Sequence, residues 1–357
     1  LGFDLVLGLS VFHHIVHRLG IDAVRTMLST VAENTAASIF EMALAGEPPC
    51  WAASQPANPR QLLDGFAFVH EIARNPTHLS ELPRPLYVAS NRYWFLGDRA
   101  EAFDSWKTES HALVGGTACG TRRYFFGNGL VAKVFDLEGE RLSEINRRDN
   151  VQEAALLRDP PPGFAVPKLL SDGRTEREAW LVREHVPGEL LLDRIRSGIS
   201  YDSRRVLADI LDHLVKLESA GLYHDDIRTW NVLIGPDDRA SLIDFGAISP
   251  ARGDCVWPHD IFLAFLITVQ EIANGEVLDS NPRREPLLNP ATLPEPYRAV
   301  WRVFLEQPLE QWSFALLRDL MERGWRGEIV DPGNWPAGLA LIVGALMAGC
   351  SKIKGPA

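Results

Sequence analysis

The chain opens on FDLVLGL (Phe3–Leu9), an apolar run with one aspartate inside it, and passes straight into HHIVHRLGIDAVRTMLSTVAENT. In that second stretch Val24, Leu28 and Val31 fall at i, i+4 and i+7, the spacing of an amphipathic helix, so one or two helices are predicted. AASIFEMAL reads as a second buried strand, and strand, helix, strand is the pattern of an α/β layer. The Pro- and Ala-rich AGEPPCWAASQPANPR is a loop, Gln61–Ala73 is predicted helical, and PLYVASNRYWFL (Pro85–Leu96) carries two β-rich runs around Ser-Asn, a hairpin signal.

From about residue 110 the pattern changes. HALVGGTACGTRRYFFGNGLVAKVFDL predicts three consecutive strands with Gly-rich turns at Gly115–Gly120 and Gly127–Gly129. A polar helix (Glu140–Arg158) and short strands near Lys168–Leu170 and Ala179–Glu184 follow. Beyond Pro187 the chain is mostly helical, over Ser203–Ala220, Asp260–Ala273, Pro296–Leu305, Glu310–Gly324 and Pro336–Gly349. A β-rich lobe therefore precedes a helical one.

Composition adds limits rather than detail. A chain of 357 residues has room for two domains at roughly 150 residues each. A net charge of -11 argues against a nonspecific nucleic-acid binder, which needs clustered Lys and Arg. Cys50, Cys119, Cys255 and Cys350 form no C-x-x-C pair, which indicates neither a zinc site nor a disulfide framework and favours a reducing cytoplasm. The run Trp335–Cys350 is about 15 residues long, short of the roughly 20 that span a bilayer. It reads as a buried helix, so no transmembrane segment is expected. A peripheral place at the inner membrane is the alternative to a free cytoplasmic one.

The chemistry concentrates in YHDDIRTWNVLI (Tyr223–Ile234) and the LIDFG that follows. Phosphoryl transfer from ATP needs a base for the attacking hydroxyl, oxygens for Mg2+ and a cation for the nucleotide phosphates. Asp226 stands after a helix–strand run, Asn231 opens the apolar run VLI, and Asp244 closes the apolar run SLI. Paired as a hairpin, those short strands would bring Asn231 and Asp244 to one metal ion. The run resembles the H-x-D-x-x-x-x-N…D-F-G signature of the protein-kinase-like superfamily.

That resemblance implies further roles. Asp226 becomes the catalytic base, Asn231 and Asp244 the Mg2+ ligands, and Lys133 of LVAKVF the phosphate-holding lysine on the third strand. Glu153 is expected to pair with Lys133, with Glu144 as the fallback. LVREHVPGEL looks like the segment that binds adenine, so Glu184 and Val186 join the nucleotide residues. Gly115, Gly116 and Gly120 could bring backbone N–H groups to the phosphates, although GGTACGTRR does not fit G-x-G-x-x-G. Arg228 could reach the transferring phosphate, a surface arginine being the alternative. Trp230 could stack on a sugar or pack in a core. Arg122 and Arg123 could bind phosphate, a solvated strand face being the safer reading. Asp260 resembles the aspartate that braces the catalytic loop. Asp225 stands where the superfamily has Arg, and the segment after Gly246 is short, with no A-P-E. Control by activation-loop phosphorylation is therefore not expected, and a small-molecule or glycan acceptor is favoured over a peptide.

FDLVLGLSVFHHI resembles the fourth strand and following loop of class I S-adenosylmethionine-dependent methyltransferases, with Ser10, Phe12 and His13 facing the ligand crevice. The Gly-rich first strand of that fold and its ribose-binding acid are not found. S-adenosylmethionine is therefore expected only in a full-length protein. The order of the two parts resembles the bifunctional kinase–methyltransferases that terminate bacterial O-antigen polysaccharide chains. Such enzymes phosphorylate the terminal sugar, typically mannose, and then methylate the phosphate. The resemblance implies an α/β fold, the C-terminal half of a Rossmann-like methyltransferase, followed by a bilobal α+β protein-kinase-like domain. The expected boundaries are 1–105, 106–335 and a C-terminal apolar helix and tail over 336–357. It implies ATP and Mg2+ as cofactors, a glycan or lipid-linked oligosaccharide acceptor, and a polysaccharide polymerase complex as partner. The competing readings are a nucleotide-binding pseudokinase scaffold in an envelope-assembly complex and a kinase of another small acceptor.

Overall fold

The computed structural model describes residues 2–78, 80–113, 120–138, 140–255, 258–277 and 292–330. The chain forms two compact units, one of residues 1–108, 122–135 and 170–185, the other of residues 109–121, 136–169 and 186–357. These units cut across the boundary expected near residue 105. Gly115, Gly116 and the predicted helix over Pro336–Gly349 lie outside the described residues.

The first unit begins with β1 (Phe3–Gly8), α1 (Phe12–Leu19), α2 (Ile21–Asn34) and β2 (Thr35–Glu41). β1 and β2 are parallel, as a helical crossover on one face requires. Val16, Val24, Leu28 and Ala32 bury the helices' apolar stripe against Phe40 and Tyr87. A short 3-10 turn, Pro59–Leu63, then leads to β3 (Phe68–Thr77) and β4 (Ser80–Ser90), and the sheet runs β1-β2-β4-β3. Gln61–Ala73 is thus not a helix: its second half is strand, because β4 offers FVHEIA a ladder and the run's apolar content fits either period.

PLYVASNRYWFL is likewise not a hairpin. β4 pairs β2 and β3, whereas β5 (Tyr93–Leu96) pairs β6 (Arg99–Ala102). At the junction the Ser90 hydroxyl donates to Ala36 O (2.6 Å) and accepts from the Arg92 and Tyr93 N–H groups (2.9 Å each), which turns the chain out of one sheet and into the next.

The unit's other sheet runs β10-β11-β9-β8-β7, from β7 (Ser105–Lys107), β8 (Arg122–Gly127), β9 (Leu130–Asp136), β10 (Leu169–Arg174) and β11 (Glu178–Glu184). One face is apolar: Phe125, Ala132, Val134, Trp180 and Val182 share a core with Phe68, Val88, Trp94 and Leu96.

In the second unit α3 (Glu140–Arg158) packs on the turn Phe245–Ala247. β12 (Glu189–Leu190) and α4 (Leu191–Arg196) lead to α5 (Ser203–Ser219), β13 (Tyr223–His224), β14 (Val232–Ile234), β15 (Ala240–Leu242) and β16 (Ile248–Ser249). Then come α6 (Ile261–Asn274), α7 (Tyr297–Leu305) and α8 (Phe314–Trp325). α6 is buried almost all round, as its near-continuous apolar sequence demands. Among the described residues no helix is long and apolar enough to cross a membrane.

Candidate active site

β14 and β15 form a short antiparallel ladder in which Val232 faces Leu242. Asn231 enters the ladder and Asp244 leaves it on the next strand, with Ile243 N donating to Asn231 O (2.9 Å). The second unit thereby holds Asp226, Asn231 and Asp244 on adjoining loops. Asn231 Nδ2 donates to the Asp226 backbone O and to Asp226 Oδ2, both at 2.8 Å, leaving its own Oδ1 as the atom able to ligate a cation. Trp230 Nε1 donates to the same Oδ2 (2.9 Å). Two donors thus orient Asp226 and leave Oδ1 to meet a hydroxyl. The Trp230 ring also stacks on His111 (centroids 5.0 Å apart, planes at 11°), so one of its faces is already covered.

His224, fully buried, ties the two loops together. Its Nε2 donates to Ile243 O (2.9 Å) and its Nδ1 accepts from Asp226 N (3.2 Å), which fixes the tautomer. Asp244 adopts a left-handed backbone (φ 61°, ψ 58°), a conformation that aspartate tolerates better than most residues and that turns its carboxylate out of the strand. Gly246 sits against α3 so closely that a Cβ would lie 2.9 Å from Asp149 O.

Negative charge accumulates here. The Asp225 carboxyl is pushed up to about 7, chiefly by burial and then by the Asp226, Asp244 and Asp149 carboxylates, against the pull of Arg148. A divalent cation beside Asp244 would relieve that repulsion, so the donor set fits one. Among the described residues no group of three His, Cys, Asp or Glu is disposed to hold a metal. An amide and a carboxylate suffice for Mg2+, which takes the rest of its shell from phosphates and water.

Several side chains do other work than the sequence suggested. Arg228 is 2% exposed and forms a two-pronged pair with Asp254 (3.0 and 3.1 Å). It anchors the loop instead of standing where a phosphate could reach it. Asp260 accepts from Phe262 N and Leu263 N and caps α6, its own helix. The loop that carries Asp226 is braced by α6 through Thr268 Oγ1, donating to Ile227 O (2.6 Å), and by Thr229 Oγ1, donating to Glu271 (2.9 Å). The post-Gly246 segment is pinned by Asp254 and by Cys255 N on Asp225 O (2.7 Å). Asp254, Thr268 and Glu271 carried no sequence signal, since each meets its partner only through the fold.

Glu153 is buried on α3 and Glu144 is exposed. Gly120 has φ +78° and open space where a side chain would be. Val186 opens the last segment of the second unit, just before β12. In the first unit, Lys133 lies on β9 at 4% exposure with Nζ 4.8 Å from the Phe135 ring centroid, and Glu184 ends β11. Arg122 covers the Phe135 ring at 5.4 Å, whereas Arg123 turns inward to Glu178 (2.6 Å) and is neither solvated nor open to phosphate.

The residues expected to line a crevice near the start are divided. Ser10 is exposed and accepts from Arg84 (3.3 Å). Phe12 packs edge-on to Phe40, and His13 is buried against Trp51 (4.3 Å), its imidazole lowered to about 4 chiefly by burial.

No family model matches the chain. The O-antigen chain terminator bifunctional methyltransferase/kinase WbdD of Escherichia coli is 40% identical over 332 residues, which cover 90% of this chain and 46% of that protein. A solved structure of the bifunctional kinase-methyltransferase WbdD superposes with a TM-score of 0.82 at 34% identity, covering 97% of this chain and 73% of the solved one. This chain belongs to the O-antigen chain-terminating methyltransferase/kinase family. It spans about half the length of the curated relatives it matches. A more distant likeness, 27% over 125 residues, is to the serine/threonine-protein kinase D of a Synechocystis strain. The likeness to kinases is consistent with the H-x-D…N…D-F-G loops, and the match to WbdD with the mixed α/β content described above.

Proposed function

We propose that the chain is an ATP- and Mg2+-dependent phosphotransferase acting on a glycan hydroxyl. The acceptor is the terminal, mannose-like sugar of a bacterial O-antigen carried on a glycan or lipid-linked oligosaccharide. The observation that supports this best is the doubly tethered Asp226, held through Oδ2 by Trp230 and Asn231 with Oδ1 left for the attacking hydroxyl. Asp226 orients that hydroxyl and takes its proton. Asn231 and Asp244 would hold Mg2+, which when bound neutralises charge on the nucleotide phosphates. Lys133 grips the α/β-phosphates, Glu153 positions Lys133, and the backbone at Glu184 and Val186 meets adenine. Gly120, with Gly115 and Gly116, supplies N–H groups to the phosphates. Arg228 keeps the loop in shape from behind.

The first four strands support the second half of the reading. A parallel pair followed by an antiparallel hairpin, in the order β1-β2-β4-β3, is what the closing half of a Rossmann-like methyltransferase sheet requires. S-adenosylmethionine and methylation of the new phosphate are proposed for a protein that also carries the Gly-rich strand. Recruitment to a polysaccharide polymerase complex at the inner membrane is proposed with them.

The test is an ATP-dependent assay over mannose-terminated and other oligosaccharides, with Asp226→Asn and Asp244→Asn beside the wild type. Loss of at least about a hundredfold in kcat is expected when the base is neutralised. Unchanged turnover in either variant refutes the assignment. Nucleotide binding without acceptor-dependent ATP consumption would mark a scaffold, and turnover on another acceptor alone would mark a different small-molecule kinase.

A further inference from the structure

Glu178 is a buried carboxylate of the first unit whose partners come from three other elements. It is 4% exposed and accepts from three side chains at once: Arg60 Nη1 (2.7 Å), His70 Nδ1 (2.7 Å) and Arg123 Nη2 (2.6 Å). The two arginines also converge on one carbonyl, Val69 O, at 2.8 and 3.1 Å. Burial alone would raise the Glu178 carboxyl; Arg123, Arg60 and the bond from His70 outweigh it and hold it far below the usual carboxylate range.

The partners come from different layers. His70 and Val69 belong to β3 of the four-stranded sheet, Arg60 to the turn before it, and Arg123 and Glu178 to β8 and β11 of the five-stranded sheet. β9 lies between β8 and β11, so the Glu178–Arg123 pair spans the strand that carries Lys133. Register places Arg123 opposite Val134 and Tyr124 opposite Lys133. Side chains alternate faces along a strand. Arg123 and Val134 therefore share the face that packs on Phe68 and Val88, while Tyr124 and Lys133 occupy the other. One face of β9 is riveted to the first ninety residues, and the opposite face presents the lysine.

We infer that Glu178 is a positioning residue for nucleotide binding, fixing the Lys133 strand against the methyltransferase-like sheet so that this sheet serves as its rigid back. The inference rests on the kinase reading of Lys133. It implies that the phosphate-holding lysine depends on residues remote from any nucleotide.

The experiment measures the affinity of a fluorescent ATP analogue, together with the KM values for ATP and for an acceptor oligosaccharide, in wild type, Glu178→Gln, His70→Gln and Lys133→Met. Thermal melts establish that each is folded at the assay temperature. Displacing a positioned group by a fraction of an ångström weakens its grip by about tenfold, so Glu178→Gln should bind the analogue and ATP about ten times more weakly with the acceptor KM unchanged. A folded Glu178→Gln with wild-type nucleotide affinity overturns the inference. If that variant does not fold, His70→Gln, which takes the imidazole Nδ1 away from Glu178 and leaves the two arginine pairs, decides it by the same measure. A wild type that binds no nucleotide sinks the kinase reading and the inference together. Binding lost in Lys133→Met but intact in the Glu178 and His70 variants sinks the inference alone.

Discussion

Replacing Asp225 by asparagine removes a carboxyl that the folded protein resists ionising. Burial and the neighbouring Asp226, Asp244 and Asp149 push it up to about 7. An acid so raised binds its proton more tightly in the folded than in the unfolded chain. Stability is therefore highest at low pH and is lost as pH climbs from about 4, the unfolded value, through about 7, the folded one. From an ordinary aspartate near 3.9, that interval is worth at most roughly 4 kcal/mol at about 1.4 kcal/mol per pH unit. About two-thirds of it, some 2–3 kcal/mol, should be lost between pH 5 and pH 8. Asparagine keeps the shape and cannot ionise, so Asp225→Asn should lack this share of the wild type's pH dependence. Urea unfolding of both proteins at pH 5, 6.5 and 8, free of nucleotide and divalent metal, isolates it, because every other group titrates in both. Two stability curves that run parallel across that range would refute the reasoning.

Two further outcomes follow from packing around the loop that carries Asp226. Arg228→Met takes the guanidinium away from a buried Asp254 and should cost about 3–5 kcal/mol, whereas Arg228→Met with Asp254→Leu should recover most of it; equilibrium unfolding that shows simple additivity would contradict a coupled pair. Gly246→Ala would place a Cβ 2.9 Å from Asp149 O. The overpacking should lower stability by about 1–3 kcal/mol, and a melting temperature equal to wild type would show that α3 can yield.

Local pattern made some of the structure readable and left the rest hidden. α3 covers Glu140–Arg158, the span marked for a polar helix, and α5, α6, α7 and α8 fall close to their predicted bounds, because a helix closes its backbone hydrogen bonds within its own segment. FVHEIA, by contrast, falls within a run whose sequence predicts helix, and is strand, since a strand's hydrogen bonds belong to a partner that sequence spacing does not reveal. The same holds among the polar residues. Asn231 and Asp244 flank a hairpin of three-residue strands, so their proximity follows from covalent connection and a short ladder. Arg228 stood beside them in the sequence and looked catalytic, yet its partner Asp254 is met only after the chain has folded back. Trp230 was open between core and sugar, and the structure gives its N–H to Asp226 and its ring to His111.

What the sequence alone determined, then, is the identity and order of the candidate site residues on neighbouring loops, because side-chain chemistry and short connections are local properties. Only the tertiary structure decided which charges are neutralised and by whom. Glu178 meets His70 and Arg60 across more than a hundred residues of chain. No spacing rule encodes such a meeting, since burying a carboxylate demands cations from whatever layer happens to close over it.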